Sequence, residues 1–158
     1  MNANRVATMN CGVVDSNSIS LSSTHAGHSN HALGLPGGYL ITPARRRHLL
    51  QSERIGVRSG KRVLGLAAYN TGTWHRVAHH FLVDRSLDPP GTQLVTDVLI
   101  MALEIAALRD EIGSLTLVVS DRALLTRLAG HGYLSVLQNS HEVWVQKTVY
   151  CNSGNSAA

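Results

Sequence analysis

Residues 42–150 are predicted to form one mixed α/β (α+β) domain: antiparallel strands first, then a β-α-β-α-β-β order, with helices on both faces of the sheet. Three observations carry that prediction. Two β-type runs, residues 55–58 and 62–69, flank Ser59-Gly60 and read as a hairpin. The stretch from about 92 to 109 is apolar around most of a helical circumference, so it must be buried against something flat. Residues 114–120 form a buried-type strand, followed by a helical segment and two short closing strands.

Taken in order, residues 1–41 differ from the rest. Arg5 and Asp15 are their only Arg, Lys, Asp or Glu side chains, and Ser, Asn, Gly and His dominate. Such a segment buries too little to offset its ordering entropy and is expected to be largely flexible, with one candidate strand at 18–22. His25, His28 and His31 recur every three residues, but no Cys or carboxylate stands near them, and no metal site is expected. Thr42 is a good N-cap and Pro43 suits a first turn, so a short helix should run to about residue 53.

After the hairpin, the 70–73 turn leads to a long strand at 74–84. Strict alternation puts His75, Val77, His79, Phe81 and Val83 on one face, and Trp74, Arg76, Ala78, His80 and Leu82 on the other. Asp88-Pro89-Pro90-Gly91-Thr92 breaks the strand. In the following helix the polar residues Asp97, Glu104 and Glu111 fall seven apart, a narrow wet stripe that implies burial on two sides, centrally against the sheet or also against a partner subunit in a homodimer. A helix over 121–129, strands near 133–137 and 143–147, and a disordered tail at 151–158 complete the chain.

Composition narrows the class. At 158 residues there is room for one domain, and with 44% hydrophobic but only 4% aromatic residues its core must be aliphatic. No run of about 18 uncharged apolar residues and no secretory signal stands out, so no membrane partner is expected. Cys11 and Cys151 lie in polar terminal segments, which points to a reducing, cytoplasmic setting. The net charge of +4 is concentrated at 42–62, where Arg45, Arg46, Arg47, Arg54, Arg58, Lys61 and Arg62 face a single anion, Glu53. That patch would attract phosphates, on nucleic acid or on a nucleotide cofactor, although it contains no aromatic residue to stack a base.

Several local sequences resemble the GNAT superfamily of N-acetyltransferases over roughly 100 residues. They are the hairpin Arg58-Ser59-Gly60-Lys61-Arg62-Val63-Leu64-Gly65, the strand end Leu82-Val83-Asp84 and the helix centre Ala102-Leu103-Glu104-Ile105-Ala106. Gly132-Tyr133 and Val143-Trp144-Val145-Gln146-Lys147 complete the set. The resemblance implies an acyl-CoA-dependent N-acyltransferase, with acetyl-CoA or another acyl-CoA as donor and an amine as acceptor. It implies that backbone groups of Leu82, Val83 and Asp84 hold the pantetheine arm, and that Gly91, Thr92, Gln93 and Leu94 meet the pyrophosphate at a helix N-terminus. Two departures stand out. The phosphate motif is reduced to Gly91, with Asp88 where a cation or amide is usual, and the last helix has no Tyr to protonate a thiolate.

An amine must lose a proton before it attacks a thioester, and His is the natural base near neutrality. His79 and His80 are therefore the candidate bases, with Asp84 at the strand end as an alternative and Tyr133 as the nearest candidate acid. A catalytically silent binding module on the same fold, and a nucleic-acid-associated protein using the 42–62 patch, are the competing readings.

Overall fold

The structure, a computed structural model, describes residues 19–24 and 34–149. Along the chain the elements are β1 (Ile19–Thr24), α1 (Pro43–Gln51), β2 (Glu53–Ser59), β3 (Arg62–Thr71) and β4 (His75–Val83). They continue with α2 (Pro89–Arg109), β5 (Ser114–Val119), α3 (Arg122–Gly130), β6 (Leu134–Gln138) and β7 (Val143–Thr148). The strands form one sheet in the order β1-β2-β3-β4-β5-β7-β6. All neighbours are antiparallel except β4 and β5, which run parallel across the α2 crossover.

Local chemistry places the boundaries. The Thr42 hydroxyl accepts from the Arg45 N–H and starts α1, and Asp121 Oδ1 accepts from the Ala123 N–H and starts α3. Ser59 pairs with Arg62, so Gly60 and Lys61 make the hairpin turn, and Gly60 adopts the φ of +56° that such a turn needs. β1 overlaps the candidate strand at 18–22 and occupies the sheet edge; the histidines at 25, 28 and 31 and both cysteines lie outside the described residues. The fold also takes in residues N-terminal to the expected boundary at 42. Tyr39 and Ile41 pack on the core, and the Arg85 N–H donates to the Gly37 carbonyl.

Helices cover both faces. On one, Ala67, Tyr69, Ala78, Leu115, Leu117 and Val145 meet Val95, Leu99 and Leu103 of α2 and Leu128 of α3. On the other, Leu66, Ala68 and Leu82 meet Leu49 of α1. Gly65 lets α2 approach closely, since a Cβ there would lie 2.7 Å from Val95 Cγ1. By length and composition alone α2 could cross a membrane, but its inner face is this core. Its polar stripe meets partners: Asp97 pairs with Arg127 and Glu104 with Lys147. Within this one chain only the inner side of α2 is covered. Met101, Ile105 and Leu108, at i, i+4 and i+7, remain exposed on the outer face, because only one side of α2 meets the sheet.

The decisive irregularity is in β4. Ala68 pairs with His80 and Tyr69 with Ala78, which leaves His79 as an extra residue, a β-bulge. Before the bulge even-numbered residues face α2; after it odd-numbered ones do, so Phe81 and Val83 join Ala78 in one core and Leu82 joins the other. The strict alternation expected from the sequence is therefore wrong past Ala78. His79 and His80 do not lie on opposite faces: both rings approach His48, at 5.8 and 5.3 Å between centroids.

Candidate active site

β4 bonds to β5 from His75↔Ser114 only as far as Ala78↔Leu117. Beyond that point Phe81, Leu82 and Val83 pair with β3 alone, while Val118 and Val119 pair with β7. The sheet splays into a V, starting at the bulge that bends β4 away. A cleft of about 1000 Å³ fills the opening, lined by Leu82 and Val83 of β4, Thr92, Gln93 and Thr96 of α2, and Arg127 of α3, among others. It therefore brings together Leu82, Val83, Thr92 and Gln93 from the predicted cofactor residues. Asp84, Gly91 and Leu94 are not among its lining residues.

A second, shallower cavity of about 420 Å³ lies on the α1 side, and His48, His79, His80, Val118, Glu142 and Trp144 line it. Arg45 lines both cavities, so they meet at its side chain. Arg45 Nε donates to His80 Nδ1 at 3.4 Å. The proton of a neutral His80 then sits on Nε2, which lies 3.2 Å from His48 Nδ1. Burial first, then the charge of Arg45 and the neighbouring His48 and His79, lowers the His80 pKa from 6.5 to about 4. His80 is thus neutral with both nitrogens engaged. His79 has neither ring nitrogen hydrogen-bonded among the described residues. Its pKa is also lowered, by burial and then by His48, with Glu142 pulling the other way.

The two remaining candidates lie apart from both cavities. Asp84 is 1% exposed and accepts from Arg62 at 2.8 Å and from the Ser86 N–H and hydroxyl. Burial would raise its pKa, but these bonds prevail and hold it below the usual carboxylate range. Tyr133 is buried in the main core, and burial followed by the Glu104 carboxylate pushes its phenol far above the ordinary value. Nor do the cations of 42–62 form one free patch: Arg54 is buried and Arg62 is paired with Asp84.

Sequence reasoning missed the residues that complete the site. Arg45 and His48 are one helical turn apart, a spacing visible in the chain, but only the packing of α1 brings them over β4. Glu142 and Trp144 arrive through the β5–β7 pairing, in which Trp144 sits opposite Val118. Asp97 binds Arg127, its main pKa-lowering partner, and also His131 at 3.0 Å, which ties α2 to α3 along the cleft wall. Among the described residues no three His, Cys, Asp or Glu side chains converge as a metal site.

No protein-family model matches the sequence, and no curated protein does. Solved structures do match in three dimensions. Ard1 from Thermoplasma volcanium superposes with a TM-score of 0.60 at 13% identity, over 84% of this chain and 99% of that one. A GNAT family acetyltransferase from Elizabethkingia anophelis, with acetyl-CoA bound, gives 0.57 at 12% identity over the same shares. A probable acetyltransferase from Staphylococcus epidermidis gives 0.57 at 11%, over 70% of this chain and 78% of its own. The fold is that of the GNAT acetyltransferases. In this GNAT fold the V between β4 and β5, the bulge at His79 and the helices on both faces are the framework on which the two cavities meet.

Proposed function

We propose that the protein is an acyl-CoA-dependent N-acyltransferase that passes an acyl group directly from a thioester to an amine, in a reducing, cytoplasmic setting. The observation that carries this reading is the opening of the sheet after Ala78↔Leu117, with a cleft beside it and a second cavity reached from the other face. From Phe81 to Val83 the β4 edge is free of β5 and lines the cleft, where a pantetheine arm with its two amides would add like a strand and replace the Tyr39 hydroxyl on the Val83 N–H. Solved structures of this fold that hold coenzyme A or acetyl-CoA support that donor.

The thioester supplies an activated acyl carbon and leaves as a thiol, so the proton the amine loses balances the one the sulfur gains. His79 is the base we assign. Its lone pair is available at neutral pH because burial disfavours the imidazolium, and among the described residues no neighbour occupies its nitrogens. His80 and His48 are positioning residues that orient Arg45 between the cavities. Glu142 and Trp144 then offer an anion and an aromatic face to a cationic acceptor on the α1 side.

The test is direct. Acetyl-CoA at millimolar concentration should raise Tm, and a panel of primary amines should release free thiol in its presence. No Tm shift and no thiol release with any amine would overturn the proposal.

A further inference from the structure

A phosphate-binding loop needs backbone N–H groups that are free to turn outwards. The stretch from β4 into α2, which flanks the cleft, has almost none. The Asp84 N–H donates to the Leu64 carbonyl, Arg85 to Gly37, and Leu87 to Asp84. The Ser86 N–H donates to Asp84 Oδ1 at 2.9 Å. Pro89 and Pro90 carry no N–H. Gly91, the one residue retained from the motif, donates to Asp88 Oδ1 at 2.9 Å, and Thr92 donates to the Asp88 carbonyl at 2.9 Å. From Gln93 onwards the amides belong to the ladder of α2. That leaves the Asp88 N–H, beside its own carboxylate. Asp88 thus fills the helix N-terminus with a protein anion, at the place where a pyrophosphate would need one removed.

Side chains do not rebuild the cradle. Arg127 is committed to Asp97 through both carboxylate oxygens. Of the other two cleft-lining arginines, Arg85 lies over the Tyr39 ring at 4.5 Å and Arg45 donates through Nε to His80; both are exposed, where salt screens their charge. The cleft, by contrast, is open, and on the β4 edge the Val83 N–H is held only by the Tyr39 hydroxyl at 3.4 Å, a long bond that a pantetheine carbonyl can replace.

Resting on the acyltransferase reading above, we propose that this protein recognises its donor through the acyl-pantetheine half, so that the nucleotide phosphates add little to binding or turnover. The substrate class is an acyl-pantetheine thioester, whether or not an adenine nucleotide is attached.

The experiment compares S-acetyl-pantetheine with acetyl-CoA in the same thiol-release assay at a fixed amine, and adds 3′-phosphoadenosine 5′-diphosphate as a competitor. A cradle of two or more charge-assisted amide bonds would favour acetyl-CoA by more than about a hundredfold in kcat/KM. Here the preference should be below about tenfold, and the nucleotide should not compete at millimolar concentration. A hundredfold preference, or clean competition by the nucleotide, overturns the inference and leaves the acyltransferase reading standing. Use of neither thioester, with no Tm shift from either, overturns both. Asp88→Gly removes the anion and frees the Gly91 N–H at small cost to the helix. It should raise kcat/KM for acetyl-CoA several-fold and leave S-acetyl-pantetheine where it was; parallel changes for the two donors would count against the loop account.

Discussion

The two halves of β4 are built on opposite principles. Up to Ala78 the strand is bonded on both edges, and Arg76 is sealed beneath it at 1% exposure. Its guanidinium lies 4.4 Å over the Tyr69 ring and donates to Thr71 and Asp110. Past Ala78 one edge has left β5, the side-chain alternation is reversed, and three histidine rings and Arg45 gather over a cavity. The first half uses polar groups to complete packing; the second leaves His79 without a hydrogen-bond partner among the described residues. A single inserted residue separates the half that holds the sheet from the half that presents chemistry.

The comparison breaks most visibly in the closed half. Asp110→Ala strands the buried Arg76 cation, and the expected loss is about 3 kcal/mol in urea unfolding, with kcat per folded molecule unchanged. A loss below about 1 kcal/mol would mean that Arg76 reaches water and that the closed half is less sealed than described.

In the splayed half the effects should be inverted. His79→Gln should lower kcat/KM about a hundredfold or more while stability moves by no more than about 0.5 kcal/mol. Full activity in that variant would remove His79 from the mechanism and leave the base unassigned.

The smallest expected effect concerns pH. His80 is held near a pKa of 4 when folded, against 6.5 ordinarily, so the unfolded chain binds the extra proton first as pH falls. Its contribution to stability is complete above about pH 6.5 and is lost progressively as pH drops towards 4. His80→Gln should flatten the fall in Tm across that window; an unchanged slope would show that another group carries it.

Much of this fold can be read from local chemistry. Thr42 and Asp121 cap helices because a short oxygen side chain before a helix-forming run can accept from the first free N–H groups. Ser59-Gly60 turns because only glycine is comfortable at the φ found there. The parallel β4–α2–β5 crossover follows from one strand, one long helix and one apolar strand in succession. Of the residues singled out from the sequence, Leu82, Val83, Thr92, Gln93, His79 and His80 line the two cavities. Tyr133 and Asp84 were not recognisable as enclosed side chains, since an aromatic after Gly132 or an acid at a strand end reads the same in either setting.

By itself, then, the sequence determined the kinds and order of the elements, the caps and the hairpin turn, because these depend on side chains within a few residues of one another. Tertiary structure alone decided that His79 is the residue left out of register, that both histidines meet His48, and that Met101, Ile105 and Leu108 lie on the face of α2 turned away from the sheet. Each of those depends on a partner far along the chain. A bulge is defined by the strand opposite, and a burial face by what packs against it.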